Sequence, residues 1–287
     1  MSSRPSLAPF RRSDRLALAP VRERLEPVDH VAHVVIAEGA EAKCIAACGS
    51  AEAMAEALTR RSLGDIKTIS VSEHRPPFLD KVDQWNKFER LSGGTLVEKC
   101  CHYFDLINLL AQAKPSRVYA TGGQAVNFVD FERNGVPSDI ADHAFVIIDY
   151  ANGTKANFTL NMFCPDFTEE MVVSGTLGRL VAREVFNFHQ QQGSKATVAI
   201  ESGELGASRQ TDVTYGALIE QSGHHGATYY EHIAFMDQLE GKQVDAATPL
   251  QGLWSMIVAS AAQESMASGQ SVDIRQFMQA NDLAGFL

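Results

Sequence analysis

No apolar run in this 287-residue chain approaches the roughly 18 residues that a membrane-spanning helix needs, so no such helix is expected. Positive charge is also short: 25 Lys and Arg stand against 35 Asp and Glu, a formal net charge of −10. An acidic surface repels phosphate backbones, which argues against nucleic-acid binding. Cysteine is sparse. Its five copies, Cys44, Cys48, Cys100, Cys101 and Cys164, are odd in number and show no C-x-x-C spacing. That argues against a disulfide framework and a zinc site, and for free thiols in a reducing cytoplasm. Long low-complexity tracts are missing too. What remains is an ordinary globular composition, 45% hydrophobic and 21% charged, enough for one large core or two modest ones.

The first 25 residues are biased toward arginine: Arg4, Arg11, Arg12, Arg15, Arg22 and Arg24 sit among serines and few acids. Two readings stay open, a poorly ordered tail and an organelle transit segment. Short strands are read at His33–Ala37 and Cys44–Ala47, and a helix at Ala51–Arg61, rich in Ala, Glu, Met and Leu. Ile66–Val71 reads as a strand ended by Pro76-Pro77. After Gly93-Gly94 the apolar spacing of Val97, Cys101, Phe104 and Leu110, with Cys100 and Ile107 alongside, predicts one helix over residues 95–113. Ser116–Gly122 is a predicted strand. Ala144–Tyr150 leads into Asn152-Gly153, a pair that favours a type I′ hairpin turn. The return strand alternates: Ala156, Phe158, Leu160 and Met162 on one face, Lys155, Asn157, Thr159 and Asn161 on the other. Strands at 170–174, 179–186, 196–201 and 211–215 and helices at 228–239 and 253–266 complete the reading. The expected fold class is α+β, an open, mostly antiparallel sheet with helices on one face. A short atypical N-terminal segment, residues 1–62, precedes a main domain at 63–287.

Chemistry concentrates in Gly93-Gly94-Thr95-Leu96-Val97-Glu98-Lys99-Cys100-Cys101-His102-Tyr103-Phe104-Asp105-Leu106. On a continuous helix Glu98 and His102 would sit one turn apart, with Asp105 extending the stripe. A carboxylate beside an imidazole orients the ring and favours its protonated form, which suits taking a proton from an alcohol. A solvated surface pair is the bland alternative.

This segment resembles the second signature of the Gfo/Idh/MocA oxidoreductases: Gly-Gly, then an acid, three residues, a histidine and Asp-Leu. The likeness extends from about Leu63 to Met266, through Leu63–Lys67, Trp85-Asn86, Arg117–Ala120, Asp142-His143-Ala144 and the final helix near Ser255–Ser265. The resemblance implies hydride transfer between NAD or NADP and a secondary alcohol of a sugar, inositol or similar polyol. By position it makes Glu98 and His102 the catalytic pair, with glutamate where the family often carries aspartate. It puts Glu73, at the end of a strand that borders the pocket in the family, beside the substrate, the alternative being a solvated strand end. Trp85 would stack on a sugar face or anchor a loop; Lys99, whose Glu-Lys is coincidental and takes no family role, is in reach of the same pocket from a neighbouring helical position. His225, with His224 and His232 around the helix start at Gly226-Ala227-Thr228, suits a hydroxylated or anionic ligand, or else is a polar cap on a surface helix. The open face at Asn157, Thr159 and Asn161 would pair subunits into a homo-oligomer, or else be solvated.

The departures matter as much. Only Gly39 and Gly49 precede Gly64, and no G-x-G-x-x-G cradle for a dinucleotide is present. The family's Glu-Lys-Pro is absent as well, so the resemblance implies a truncated or degenerate nucleotide-binding part and leaves the cofactor-binding residues unidentified. Two classes are therefore expected: an active dehydrogenase that obtains its nucleotide site elsewhere, or a non-catalytic homologue that binds a ligand or assembles.

Overall fold

The computed structural model describes residues 63–186, 195–202, 207–213, 227–244 and 247–286. The expected elements before residue 63, and His224 and His225, lie outside the described residues.

Nine strands form one open sheet in the order β10-β9-β8-β7-β1-β6-β5-β2-β11. They are β1 (Ile66–His74), β2 (Pro115–Gly123), β5 (His143–Tyr150), β6 (Lys155–Asn161), β7 (Phe167–Gly175), β8 (Gly178–Phe186), β9 (Lys195–Ser202), β10 (Ala207–Val213) and β11 (Val272–Asp273). A small separate ribbon pairs β3 (Glu132–Arg133) with β4 (Val136–Pro137). Every neighbouring pair in the large sheet is antiparallel except β1 with β6. Strand β1 thus lies in the middle, with β6 on one side and β7 on the other.

Period-two alternation decides which face is covered. Ile69 and Val71, Val118 and Ala120, Val146 and Ile148, Phe158 and Leu160, and Met171 and Val173 are all buried. Against them pack helices α3 (Cys101–Ala111) and α5 (Pro249–Ser268), which also pack on each other. Phe158 meets Tyr103 in a stacked contact at 4.9 Å and the edge of Phe104 at 5.4 Å. Helix α5 starts on a Thr248/Gln251 capping box with Pro249 in its first turn and ends at Gly269. Near its end, buried Ser265 Oγ accepts from the Ala120 amide at 2.8 Å, tying helix to sheet. Two further helices, α4 (Ala227–Leu239) and α6 (Ile274–Ala280), complete the C-terminal part. The α+β class with an open, mostly antiparallel sheet is what the structure contains.

Two local expectations are corrected. The Asn152-Gly153 loop is not a two-residue type I′ turn, because only Gly153 takes a positive φ, +90°. The loop runs from Ala151 to Thr154, since the Asn152 side chain has other partners: its Oδ1 accepts from the Thr154 amide at 3.1 Å, and its amide donates to the Ala111 carbonyl at 2.9 Å. The hairpin is thereby pinned to the end of α3.

The single helix expected over 95–113 is instead two. Helix α1 (Glu89–Ser92) stops at Gly93, φ +80°, and α2 (Thr95–Glu98) starts from Gly94. Helix α2 then ends, and Lys99 and Cys100 turn a corner before α3 begins. Cys100 is fully buried at that corner. Gly94 has φ 89° and ψ 164°, a region that only glycine occupies without strain. A Cβ there would also approach Gln263 Nε2 to 2.0 Å. Gly94→Ala is expected to lower unfolding free energy by about 1–3 kcal/mol in urea denaturation; an unchanged midpoint would show that the corner tolerates a side chain.

Candidate functional site

Glu98 ends α2 and His102 lies in the first turn of α3, with Lys99 and Cys100 between them in the right-handed helical region. The Glu98 carboxylate is held by the Lys81 ammonium. The same ammonium lies 4.7 Å from the centre of the Trp85 ring. Lys81 and Trp85 are placed by a 3₁₀ segment, Val82–Lys87, which bends through positive φ at Asp83 and Gln84. Buried Lys87 anchors the segment between the Phe128 and Phe131 rings, 4.3 and 4.2 Å away, with Asp80 at 2.8 Å. His102 is half-buried, its ring 4.2 Å from that of Tyr103. Cys101, beside it, feels the charges of both Glu98 and Asp105, though burial is the main reason its thiol is pushed up.

A second group lies on the covered face of the sheet. Glu73 is in phase with Ile69 and Val71 and is 0% exposed. Its Oε1 takes Arg75 Nη1 at 3.1 Å and faces Lys99 Nζ at 3.8 Å. Its Oε2 is buried without a hydrogen-bond partner. Across the ladder Glu73 pairs with Glu169 on β7, and Glu169 pairs with Glu184 on β8. Glu184 is buried, and Tyr103 donates its hydroxyl to Glu169. Burial pushes the Glu169 carboxyl up to about 8, and the charges of Glu73 and Glu184 add to the rise. The Tyr103 hydrogen bond and the Lys99 charge oppose it.

Asp142 shows the opposite treatment of a buried acid. Burial alone would raise it, but His143 Nδ1 lies 2.8 Å away and the amides of Ala125, Val126 and Asn127 all donate to it. Together they hold it below the usual carboxylate range. The Asp142-His143 pair therefore fastens the 124–128 loop.

Among the residues expected at a site, the structure brings Glu73 to Lys99, and Glu98 to Trp85 through Lys81. His102 adjoins the first set through its neighbour Tyr103. His225 lies outside the described residues, and His232 on α4 is exposed. The sequence reading did not single out Lys81, Tyr103, Glu169 or Glu184. The two glutamates carried a readable signal. Glu169 shares its phase with Met171 and Val173, and Glu184 with Leu180 and Ala182, so each is an acid on the apolar side of a strand.

Glu169 binds its proton more tightly in the folded than in the unfolded chain, where glutamate titrates near about 4.3. Its contribution to stability is complete below that value and is lost as pH rises toward about 8. Melting temperature is therefore expected to fall between about pH 5 and pH 8, and Glu169→Gln should flatten that part of the curve. An identical slope in the variant would contradict the assignment.

Residues 55–274 match the model of the oxidoreductase family C-terminal alpha/beta domain of Gfo/Idh/MocA proteins. No curated protein matches the sequence. Among solved structures, levoglucosan dehydrogenase in complex with NADH and levoglucosan is 18% identical, with a TM-score of 0.57, over 87% of this chain and 65% of that one. The aldose-aldose oxidoreductase of Caulobacter crescentus, complexed with glycerol, is 16% identical at a TM-score of 0.53, over 76% and 58%. A chain from Sinorhizobium meliloti 1021 assigned as a myo-inositol dehydrogenase is 20% identical at 0.50, over 76% and 60%. This chain thus spans about three-fifths of the length of these three structures. These likenesses concern the fold. With the family match covering most of the sequence, the chain belongs to the Gfo/Idh/MocA oxidoreductase family through its C-terminal alpha/beta domain.

Proposed function

We propose that this chain is the substrate-binding and proton-handling half of a sugar or polyol dehydrogenase. The observation that carries the reading is the corner itself. The Gly93-Gly94 turn presents Glu98, engaged by Lys81 beside Trp85, and His102 follows on the next helix. A carbohydrate offers hydroxyls and an apolar C–H face. Trp85 suits the face, and the Lys81–Glu98 pair suits the hydroxyls. His102 is the base that takes the hydroxyl proton as the carbinol carbon is oxidised, and Glu98 with its lysine sets the local field. Neighbours crystallised with levoglucosan and NADH support a carbohydrate substrate and a nicotinamide partner.

NAD or NADP would accept the hydride. The residues present do not make a cradle for it: no two glycines anywhere in the chain stand in G-x-G spacing. The nucleotide site is therefore assigned to segments beyond the described residues or to another chain, and Lys99, turned toward Glu73, is not given its lysine role. That absence favours one alternative, a non-catalytic homologue that binds a polyol.

Assembly through the open face belongs to the same proposal. Asn157 and Thr159 are cross-strand partners of Ile147 and Phe145, which are 50% and 56% exposed, and Tyr119 lies opposite Ile147. Their side chains give this face apolar area that a second copy would cover. Phe145→Asp is expected to halve the mass seen by light scattering; an unchanged mass would place the interface elsewhere.

Activity is tested by following absorbance of the reduced nicotinamide with the full chain, millimolar NAD or NADP, and myo-inositol or levoglucosan. His102→Ala should lower kcat by about 10²–10⁴-fold. Unchanged turnover in that variant removes His102 from the reaction. Absent turnover in the unaltered chain, with heat of polyol binding in calorimetry, selects the non-catalytic alternative.

A further inference from the structure

The dehydrogenase reading leaves the other face of the β1 strand end untouched. His74 follows buried Glu73, so period two turns its side chain away from the packed face. It pairs across the ladder with Asn161, the last residue of β6. Just beyond that strand the chain brings Cys164 back to the pair, its amide donating to the Arg75 carbonyl at 3.1 Å. Cys164 Sγ lies 3.8 Å from His74 Nδ1 and 3.4 Å from Asn161 Oδ1. The Asn161 oxygen is itself fixed by the Phe163 amide at 3.0 Å. A thiol, an imidazole and an amide oxygen thus meet, drawn from β1, β6 and the turn that follows β6.

We propose that Cys164 is a covalent modification site, a thiol that His74 activates toward the disulfide of an oxidised low-molecular-weight thiol. The thiolate is the nucleophile, and a histidine beside the sulfur is one of the settings that supplies it. Neutral His74 takes the Sγ proton at Nδ1. The Cys164 sulfur then attacks one sulfur of the small disulfide. A new S–S bond forms at Cys164, the old one breaks, and the departing thiolate recovers the proton from His74. Cys164 is oxidised, one half of the small disulfide is reduced to its thiol, and no further reactant is needed. Before the step, Asn161 Oδ1 holds the sulfur beside the imidazole.

The fold treats two other thiols in the opposite way. Burial pushes Cys100 and Cys101 up, which keeps them protonated and unreactive. Cys164 and His74 are only half-buried, and Phe163 beside them is 40% exposed, so the segment reaches solvent. A zinc site would need about four ligands. Among the described residues no third His, Cys, Asp or Glu joins this pair, so it is read as thiol chemistry. The pair contains none of the residues assigned to polyol oxidation, and it stands or falls independently of them.

The test is peptide-resolved mass spectrometry of the reduced full chain exposed to oxidised glutathione at about pH 7, once folded and once unfolded in urea. A half-buried thiol without assistance reacts more slowly in the folded chain than in the unfolded one. Cys164 should instead react about three- to tenfold faster when folded, while Cys100 and Cys101 react more slowly. His74→Gln keeps a polar side chain of similar size that is no base. Its Cys164 should react no faster folded than unfolded, with a melting curve recorded to show that the variant folds. Slower reaction of Cys164 in the folded, unaltered chain overturns the proposal without any variant. A folded rate that is unchanged in His74→Gln overturns it as well, because the imidazole then takes no part.

Discussion

A carboxyl group placed on the apolar face of a β-sheet must be neutralised, paired or protonated, and this sheet does it differently at two neighbouring positions. Glu73 is paired through one oxygen with Arg75 and Lys99. Glu169 keeps a proton and takes the Tyr103 hydroxyl. Glu184, the third in the row, is buried beside it. The arrangement is possible because the pairing of β1, β7 and β8 fixes these residues in one register; a slip of one residue would turn each acid to the opposite face. Asp142, satisfied by three amides and an imidazole, is what a structural buried acid looks like in the same protein. Glu73 Oε2 lacks such a partner, which is unusual for a buried carboxylate oxygen.

The corner at Lys99 and Cys100 connects this row to the second signature. An unbroken helix would have pointed Glu98 and His102 the same way and sent Lys99 about 100° around the axis. By ending α2 at Glu98 and restarting at Cys101, the chain lets Glu98 join Lys81 and Trp85 while Lys99 reaches the sheet. Adjacent residues thereby serve two groups of side chains. Gly93 and Gly94 make the approach possible, since both adopt backbone angles that a side chain would strain.

Much of this was legible in the sequence where the signal is periodic. The strand over 155–161 and its buried Ala156, Phe158 and Leu160 follow from strict alternation, and the antiparallel sheet follows from a run of such strands. Glu73 was a candidate contact through the family pattern and Lys99 only through its neighbouring helical position; in the structure the two lie 3.8 Å apart. What could not be read was tertiary. Helical spacing persists across the Lys99–Cys100 break because two short helices in succession keep nearly the same apolar period, so the break is invisible to pattern. The Asn152-Gly153 pair has strong local preference, but the reach of Asn152 to Ala111 depends on a helix forty residues earlier. Lys81 sits in an irregular loop, where no period links it to Glu98. Glu169 and Glu184 were readable only as polar residues out of place in an apolar phase, a clue that takes meaning once register sets them side by side.

The most direct measurement is a carboxyl carbon NMR titration of the full chain with labelled glutamate. The account predicts one glutamate resonance that titrates near 8 and disappears in Glu169→Gln. If every glutamate titrates in the ordinary range around about 4.3, the carboxyl row is solvated and the account fails.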